Sequence, residues 1–272
     1  MGSRGIELDM SHETAALPDI QKTQDTRNIA IDKVGVRRVK FPIEVLDRSE
    51  ERQRTSGDFT LTVDLPKEFK GTHMSRFLEV LNEYGRTISV HSLPQLLTAL
   101  TQKLNAEKAH VEVRFPFFIE KAAPVTGKSG MMEYDCGFDA FANGHFELTM
   151  YVRVPVATLC PCSKEISSYG AHNQRGWVTA RVQTNDHVWL EELIDMIEAS
   201  GSCGLYPVLK RPDEKWVTEH AYENPRFVED LVREVALKFD ADDRITSYSI
   251  EVENEESIHA HNAYAYLERS KV

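Results

Sequence analysis

Apolar and polar positions alternate along the chain with two different periods. Val34, Val36, Val39, Phe41 and Ile43 mark a long extended segment. Phe59, Leu61 and Val63 alternate with Thr60, Thr62 and Asp64, the pattern of a strand buried on one face. The period then lengthens. Met74, Phe77, Leu78 and Leu81 fall at helical spacing and predict a helix closed by Gly85. Leu93, Leu96, Leu97, Leu100 and Leu104 repeat that spacing, with Ser92 in the N-cap position. Period-two segments return at Val111, Val113, Phe115 and Phe117 and again over 132–142, before Asn143 and Gly144 signal a hairpin turn.

The second half repeats the order. Phe146, Leu148, Met150, Val152 and Val154 form one strand, and Val178, Ala180 and Val182 the next. Leu190, Leu193, Ile194 and Ile197 make a helical stripe, as do Val228, Leu231, Val232, Val235 and Phe239. Tyr248, Ile250 and Val252 alternate with charged or polar residues, and a last strand covers about 262–269. Each half therefore reads strand, strand, helix, helix, strand, strand. Consecutive hairpins imply antiparallel sheets with helices on one face, an α+β architecture. The expected division is a mobile N-terminal arm over 1–28, a first ββααββ module over 29–144 and a second over 145–272. No glycine-rich phosphate loop is present, and strands and helices do not alternate singly, which disfavours a doubly wound parallel fold.

Composition narrows the class. The chain has 272 residues with a formal net charge of −11, from 32 Lys and Arg against 43 Asp and Glu. An acidic chain of this kind is not a general nucleic-acid binder, because phosphate contacts need clustered cations. No run reaches the ~18 apolar residues that span a bilayer, and the N-terminus lacks the apolar core of a secretory signal. The 4 Cys do not form a disulfide framework. These features point to a soluble protein of the reducing cytoplasm.

Chemistry concentrates in 159–175. This interstrand segment carries Cys160, Cys162, Lys164, Glu165, His172 and Arg175. On spacing alone the two cysteines also read as small buried hydrophobes at a strand end. A catalytic metal site needs three protein ligands and an open position, and Cys160 and His172 supply two. The third would come from elsewhere. The segment 207–229, read as a long polar connection between two helices, offers Asp213, Glu214, Glu219, His220, Glu223 and Glu229, among which periodicity does not choose. Cys136 and Cys203 have no partner motif and read as buried, and His73 at a helix start reads as structural.

The run from Cys160 through Ser167 with Gly170–Arg175 resembles the signature of GTP cyclohydrolase type IB. So do Leu17–Gln21, Lys70–Phe77 and Ser257–Asn262, so that the likeness spans nearly the whole chain from Leu17. The resemblance implies a tunnelling fold with two ββααββ modules per chain, assembled into a homo-oligomer, a tetramer, with active sites at subunit interfaces. It implies hydrolysis of GTP to 7,8-dihydroneopterin triphosphate and formate, the entry to folate and pterin synthesis. It further implies a divalent metal, zinc or manganese, held by Cys160, His172 and Glu214. Glu229 would anchor the guanine and His259 would act in catalysis.

Elementary chemistry agrees with these roles. A thiolate suits a borderline metal, a metal ion activates water near neutral pH, histidine exchanges protons there, and a carboxylate accepts two hydrogen bonds from guanine. A triphosphate on an acidic protein demands a local cationic patch, for which Lys164, Arg175, Lys210, Arg211 and Arg76 are candidates, Arg76 from a neighbouring chain. The alternative within this fold is a reductase or other pterin or deazapurine enzyme that uses a cysteine nucleophile. A non-catalytic ligand-binding subunit is the alternative outside enzymology.

Overall fold

The switches of period become ten strands and six helices in the protein's structure, a computed structural model that describes residues 19–49 and 51–271. The first half comprises β1 (Ile31–Asp47), β2 (Glu51–Leu65), α1 (Met74–Tyr84), β3 (Thr87–Ile88), α2 (Leu93–Leu104), β4 (Ala109–Ala122) and β5 (Ser129–Ala142). The second comprises β6 (Phe146–Leu159), α3 (Pro161–Ile166), β7 (Asn173–Thr184), α4 (Leu190–Glu198), β8 (Cys203–Gly204), α5 (Arg211–Glu223), α6 (Val228–Ala241), β9 (Ile245–Asn254) and β10 (Ala263–Ser270).

All ten strands join one sheet in the order β10-β9-β7-β6-β5-β4-β2-β1-β3, with β8 paired to β6. Every pairing is antiparallel except the short contact of β1 with β3. The two halves meet where β5 pairs with β6, joined by the turn at 143–145. The helices cover one face. Along β4, Ala109, Val111, Val113, Phe115 and Phe117 point to the core, with Met150, Val152, Val154 and Val156 doing so on β6. Phe77 and Leu81 of α1, Leu96 and Leu100 of α2, Leu193 and Ile197 of α4, and Leu231 and Phe239 of α6 close over them. Burying each such side chain contributes about 1.5–3 kcal/mol, which is why helical stripes and strand alternation locate the core together. The opposite face is polar. There Arg114 lies 4.3 Å over the Tyr151 ring and Arg153 4.1 Å over Trp177.

Strand direction sorts the loops between two rims. β6 and β9 run toward one rim, where β7 and β10 begin and the β4–β5 hairpin turns back. β2 runs the other way, so the connection from Leu65 to α1 leaves from the opposite rim.

Several expectations are revised. Ser92 does not cap α2 with its side chain; its hydroxyl donates to Thr87 O (2.7 Å) and accepts Ser89 N–H (2.9 Å), stapling the preceding turn instead. Gly85 does end α1, but at φ −85°. Close approach requires it, since a Cβ there would sit 2.5 Å from Leu81 O. The segment 207–229 is no extended loop, for α5 occupies Arg211–Glu223. That helix buries only Asp213 and Ala221, so it leaves no apolar stripe for periodicity to detect. Of the arm expected over 1–28, residues 1–18 lie outside the described residues. From Asp19 onward it docks on 68–73: Asp25 N–H donates to Glu68 O (3.1 Å), Gly71 N–H to Gln21 O (3.2 Å), and His73 Nε2 meets Asp19 (3.1 Å).

Candidate active site

Cys160 is the residue where β6 stops. Pro161 cannot donate to a sheet and suits a first helical turn, so the chain leaves the sheet and enters the short α3. The excursion closes on itself. Cys160 N–H donates to His172 O (3.1 Å), and the Ser163 hydroxyl donates to Cys160 O (3.2 Å) while accepting His172 N–H (3.2 Å). Cys160 Sγ accepts Ser163 N–H at 3.4 Å. Cys160 is half-buried and Cys162 exposed, whereas Cys136 and Cys203 are buried, as their lack of a motif suggests. Burial raises the thiol pKa of both buried cysteines, which leaves them protonated and inert.

His172 stands at the start of β7. Its Nδ1 is 2.9 Å from Gln174 Oε1 and 3.4 Å from Ser257 Oγ. Ser257 belongs to the exposed loop between β9 and β10 that also carries His259, whose ring stacks on His261 with centroids 5.4 Å apart. The junction of α5 and α6 reaches the same rim, where Arg226 N–H donates to Leu159 O (3.0 Å). Lys164 Nζ donates to Tyr222 O (2.5 Å) and sits 4.4 Å over the Tyr222 ring, fastening α3 to the end of α5. Glu229 follows in the first turn of α6, exposed and without a side-chain partner among the described residues.

The beginning of α5 is fastened separately. Asp213 is fully buried and accepts four hydrogen bonds, from Val125 N–H (2.9 Å), Thr126 N–H (2.8 Å), the Thr126 hydroxyl (2.7 Å) and Lys210 N–H (2.9 Å). Burial alone would raise its carboxyl pKa. The hydrogen bonds outweigh that and hold it well below the usual carboxylate range. Between its two fastened ends α5 spans a cavity of about 260 Å³ lined by Lys121, Glu198, Cys203, Tyr206, Trp216 and His220. Lys121 Nζ pairs with Glu198 at 2.5 Å, and the Tyr134 hydroxyl donates to the same carboxylate at 2.8 Å.

The chain thus gathers Cys160, Lys164, His172, Arg175, Glu229 and the loop of His259 at one rim. Arg175 is exposed there, its carbonyl accepting Glu255 N–H (2.8 Å). Glu214 is exposed on the first turn of α5, and among the described residues no three His, Cys, Asp or Glu side chains form a group that could hold a metal ion. Arg76, on α1, belongs to the opposite rim, where Nη1 reaches Lys103 O (3.4 Å). Lys210 and Arg211, at the start of α5, are exposed.

Several residues at this rim carry no periodic signal. Gln174 reaches Thr158 across the β6–β7 pair and Asp213 reaches Val125 and Thr126 in the β4–β5 turn, contacts between segments that local periodicity does not connect. Arg226 Nε, Asn254 Oδ1 and Glu256 Oε2 are buried atoms without a hydrogen-bond partner. Each such atom, unpartnered among the described residues, costs about 1–3 kcal/mol unless water reaches it.

Residues 17–265 match the family described as type I GTP cyclohydrolase folE2. GTP cyclohydrolase FolE2 2 of Dechloromonas aromatica is 51% identical, the match covering 96% of this chain and 97% of that one. GTP cyclohydrolase FolE2 of Magnetococcus marinus is 53% identical, over 93% and 96%. Among solved structures, a uricase from Bacillus fastidious superposes with a TM-score of 0.54 at 6% identity, covering 89% of this chain and 93% of that one. Urate oxidase from Bacillus subtilis 168 gives 0.51 at 9%, covering 88% and 98%. At that identity the likeness is one of fold, the tunnelling fold.

Proposed function

The chain belongs to the type I GTP cyclohydrolase FolE2 family and is an enzyme of GTP cyclohydrolase I activity in folate biosynthesis, and on that premise we propose how its residues divide the work. GTP is the substrate, and 7,8-dihydroneopterin triphosphate and formate are the products. The observation that carries the reading is the Cys160–His172 backbone bond, which makes one unit of a thiol and an imidazole at a rim with unsatisfied polar atoms.

The family suggests metal dependence, and Cys160, His172 and Glu214 are donor types that suit a divalent ion, although the structure does not bring the three side chains together. Cys160 offers sulfur, His172 offers the ring nitrogen not engaged by Gln174, and Glu214 on α5 offers a carboxylate without a side-chain partner among the described residues. These three residues would hold the ion. Zinc or manganese bound there supplies Lewis acidity to activate water and polarise the attacked amidine.

The remaining steps fall to the chain itself. Glu229 accepts hydrogen bonds from guanine N1–H and the 2-amino group, which turns C8 toward Cys160 and His172. Water adds to C8 and loses a proton, while N9 gains one as the C8–N9 bond breaks. His259, on an exposed loop tied to His172 through Ser257, is suited to carry that proton, and hydrolysis of the resulting formamide releases formate. Lys164 and Arg175 lie at this rim for the triphosphate. Arg76 lies at the other rim, so in this reading it serves a site only from a neighbouring chain, and we propose a homo-oligomer, a tetramer, with shared active sites. We place the two modules at 29–144 and 145–272, the second carrying the metal-holding residues, after an arm over 1–28. No helix among the described residues is long and apolar enough to cross a membrane, and we assign the enzyme to the cytoplasm.

The test is incubation of purified protein with GTP and either Mn²⁺ or Zn²⁺, followed by assay for formate and a fluorescent pterin. Product with either ion supports the reading. No product from folded protein with both ions overturns it. A cysteine-nucleophile reductase of the same fold would release no formate.

A further inference from the structure

α5 ends at Glu223, and the chain beyond it offers the Tyr222 carbonyl no main-chain donor. Pro225 has no N–H. The Arg226 N–H, which one more helical turn would spend on Tyr222 O, donates to Leu159 O instead (3.0 Å). Phe227 N–H donates to the Asp230 carboxylate (3.0 Å). The Lys164 ammonium fills the gap, 2.5 Å from Tyr222 O and 4.4 Å over the Tyr222 ring. The carbonyl end of a helix and the face of an aromatic ring both attract a cation. Lys164 is itself set by α3, where its N–H donates to Cys160 O (3.2 Å).

The company this lysine keeps is unlike that of its fellow cations. Lys121 meets the Glu198 carboxylate, and Arg244 meets Asp242 and Glu192. Lys164 meets a neutral carbonyl and a neutral ring, and among the described residues no carboxylate pairs with it. Its charge is held in place without being neutralised, on a chain of net charge −11. An ammonium has three N–H donors, and the carbonyl takes one. A free lysine loses rotamer freedom when it binds an anion, whereas one already held loses little.

We propose that Tyr222 is a positioning residue that holds the Lys164 ammonium ready for the triphosphate of GTP. This role rests on the reading of Lys164 as a triphosphate-binding residue. The Tyr222 ring then serves the phosphates and leaves the base and the chemical step untouched.

The experiment uses the full-length enzyme with whichever of Mn²⁺ and Zn²⁺ gives product. It measures KM and kcat for GTP and the inhibition constant of guanosine, which carries the base without phosphates. Tyr222→Leu removes the ring and keeps the carbonyl. It is expected to raise KM for GTP about 2- to 5-fold, the loss of one exposed cation–π contact, with kcat and guanosine inhibition unchanged. Tyr222→Phe keeps the ring and is expected to match the wild type. Lys164→Met is expected to raise KM roughly 10- to 100-fold, and adding Tyr222→Leu to it should bring no further rise. Circular dichroism checks folding, and Tyr222→Met supplies a second variant without the ring.

Guanosine inhibition or kcat weakened as much as KM in Tyr222→Leu overturns the inference, since the ring would then only support the fold of the site. So does a KM rise in Tyr222→Phe equal to that in Tyr222→Leu, or a full further rise in the double variant. Unchanged KM in Tyr222→Leu when Lys164→Met raises it also overturns the inference, and the reading of Lys164 then stands. Unchanged KM in Lys164→Met overturns that reading itself.

Discussion

Cys160 and His172, twelve positions apart in sequence, are joined by a backbone hydrogen bond of 3.1 Å that closes the excursion between β6 and β7. Both residues are only partly buried, so replacing their side chains leaves the closure intact. Cys160→Ala and His172→Ala are expected to fold and to lose GTP turnover by more than the roughly 10- to 100-fold that an outer contact of a metal site costs. Formate release together with circular dichroism checks this. Turnover retained by Cys160→Ala would remove the thiol from the chemistry.

Glu229 is exposed in the first turn of α6 and has no side-chain hydrogen bond or ion pair among the described residues, so its substitution separates recognition from stability. Glu229→Gln replaces an acceptor pair with one acceptor and one donor. It is expected to lower kcat/KM for GTP roughly 100-fold, about 3 kcal/mol for a charge-assisted pair. It should also flatten the preference for GTP over inosine triphosphate, which lacks the 2-amino group. Steady-state kinetics with both nucleotides decides it.

Asp213 governs the seating of α5, and its contribution depends on pH in a defined direction. Its carboxyl pKa is lower in the folded chain than in the unfolded one. The stability it lends is therefore complete above the ordinary aspartate value of about 3.9 and is lost as pH falls through the depressed folded value. Asp213→Asn keeps the shape but cannot accept all of the donors. The stability gap between wild type and variant should be full near pH 7 and shrink from about pH 4 downward, as read by urea unfolding across that range. A gap independent of pH would mean that shape, not charge, is what matters.

Lys121 and Glu198 pair at 2.5 Å with most of both side chains shielded. Lys121→Met leaves the Glu198 charge without its partner and is expected to cost about 3–5 kcal/mol, a fall of roughly 10 °C in thermal midpoint. Adding Glu198→Gln should recover much of that loss, since the amide oxygen still accepts the Tyr134 hydroxyl. No recovery in the double variant would show that packing around the Lys121 stem dominates.

The parts of this protein legible in its residues share one property: they repeat locally. Phe59, Leu61 and Val63 lie on a strand face, Leu93 through Leu100 on a helix face, and both faces are buried where the periods place them. α5 escaped that reading because Trp216, His220 and their neighbours sit over a polar cavity rather than on the core, so no apolar stripe marks the helix. The segment 159–175 was legible for a different reason, its density of Cys, His and charged residues. Arg226 and Gln174 were not, because a lone polar residue in a strand or turn has no period.

By itself the sequence determined the order of elements, the buried faces and the neighbourhood of Cys160, since hydrophobic period and side-chain chemistry act over a few residues. Only the tertiary structure decided that β5 and β6 join the halves into one sheet, that Arg76 stands at the rim away from Cys160, and that the Cys160 and His172 backbones close on each other. Register and strand direction fix those relations, and both are set by backbone pairing between segments far apart in the chain.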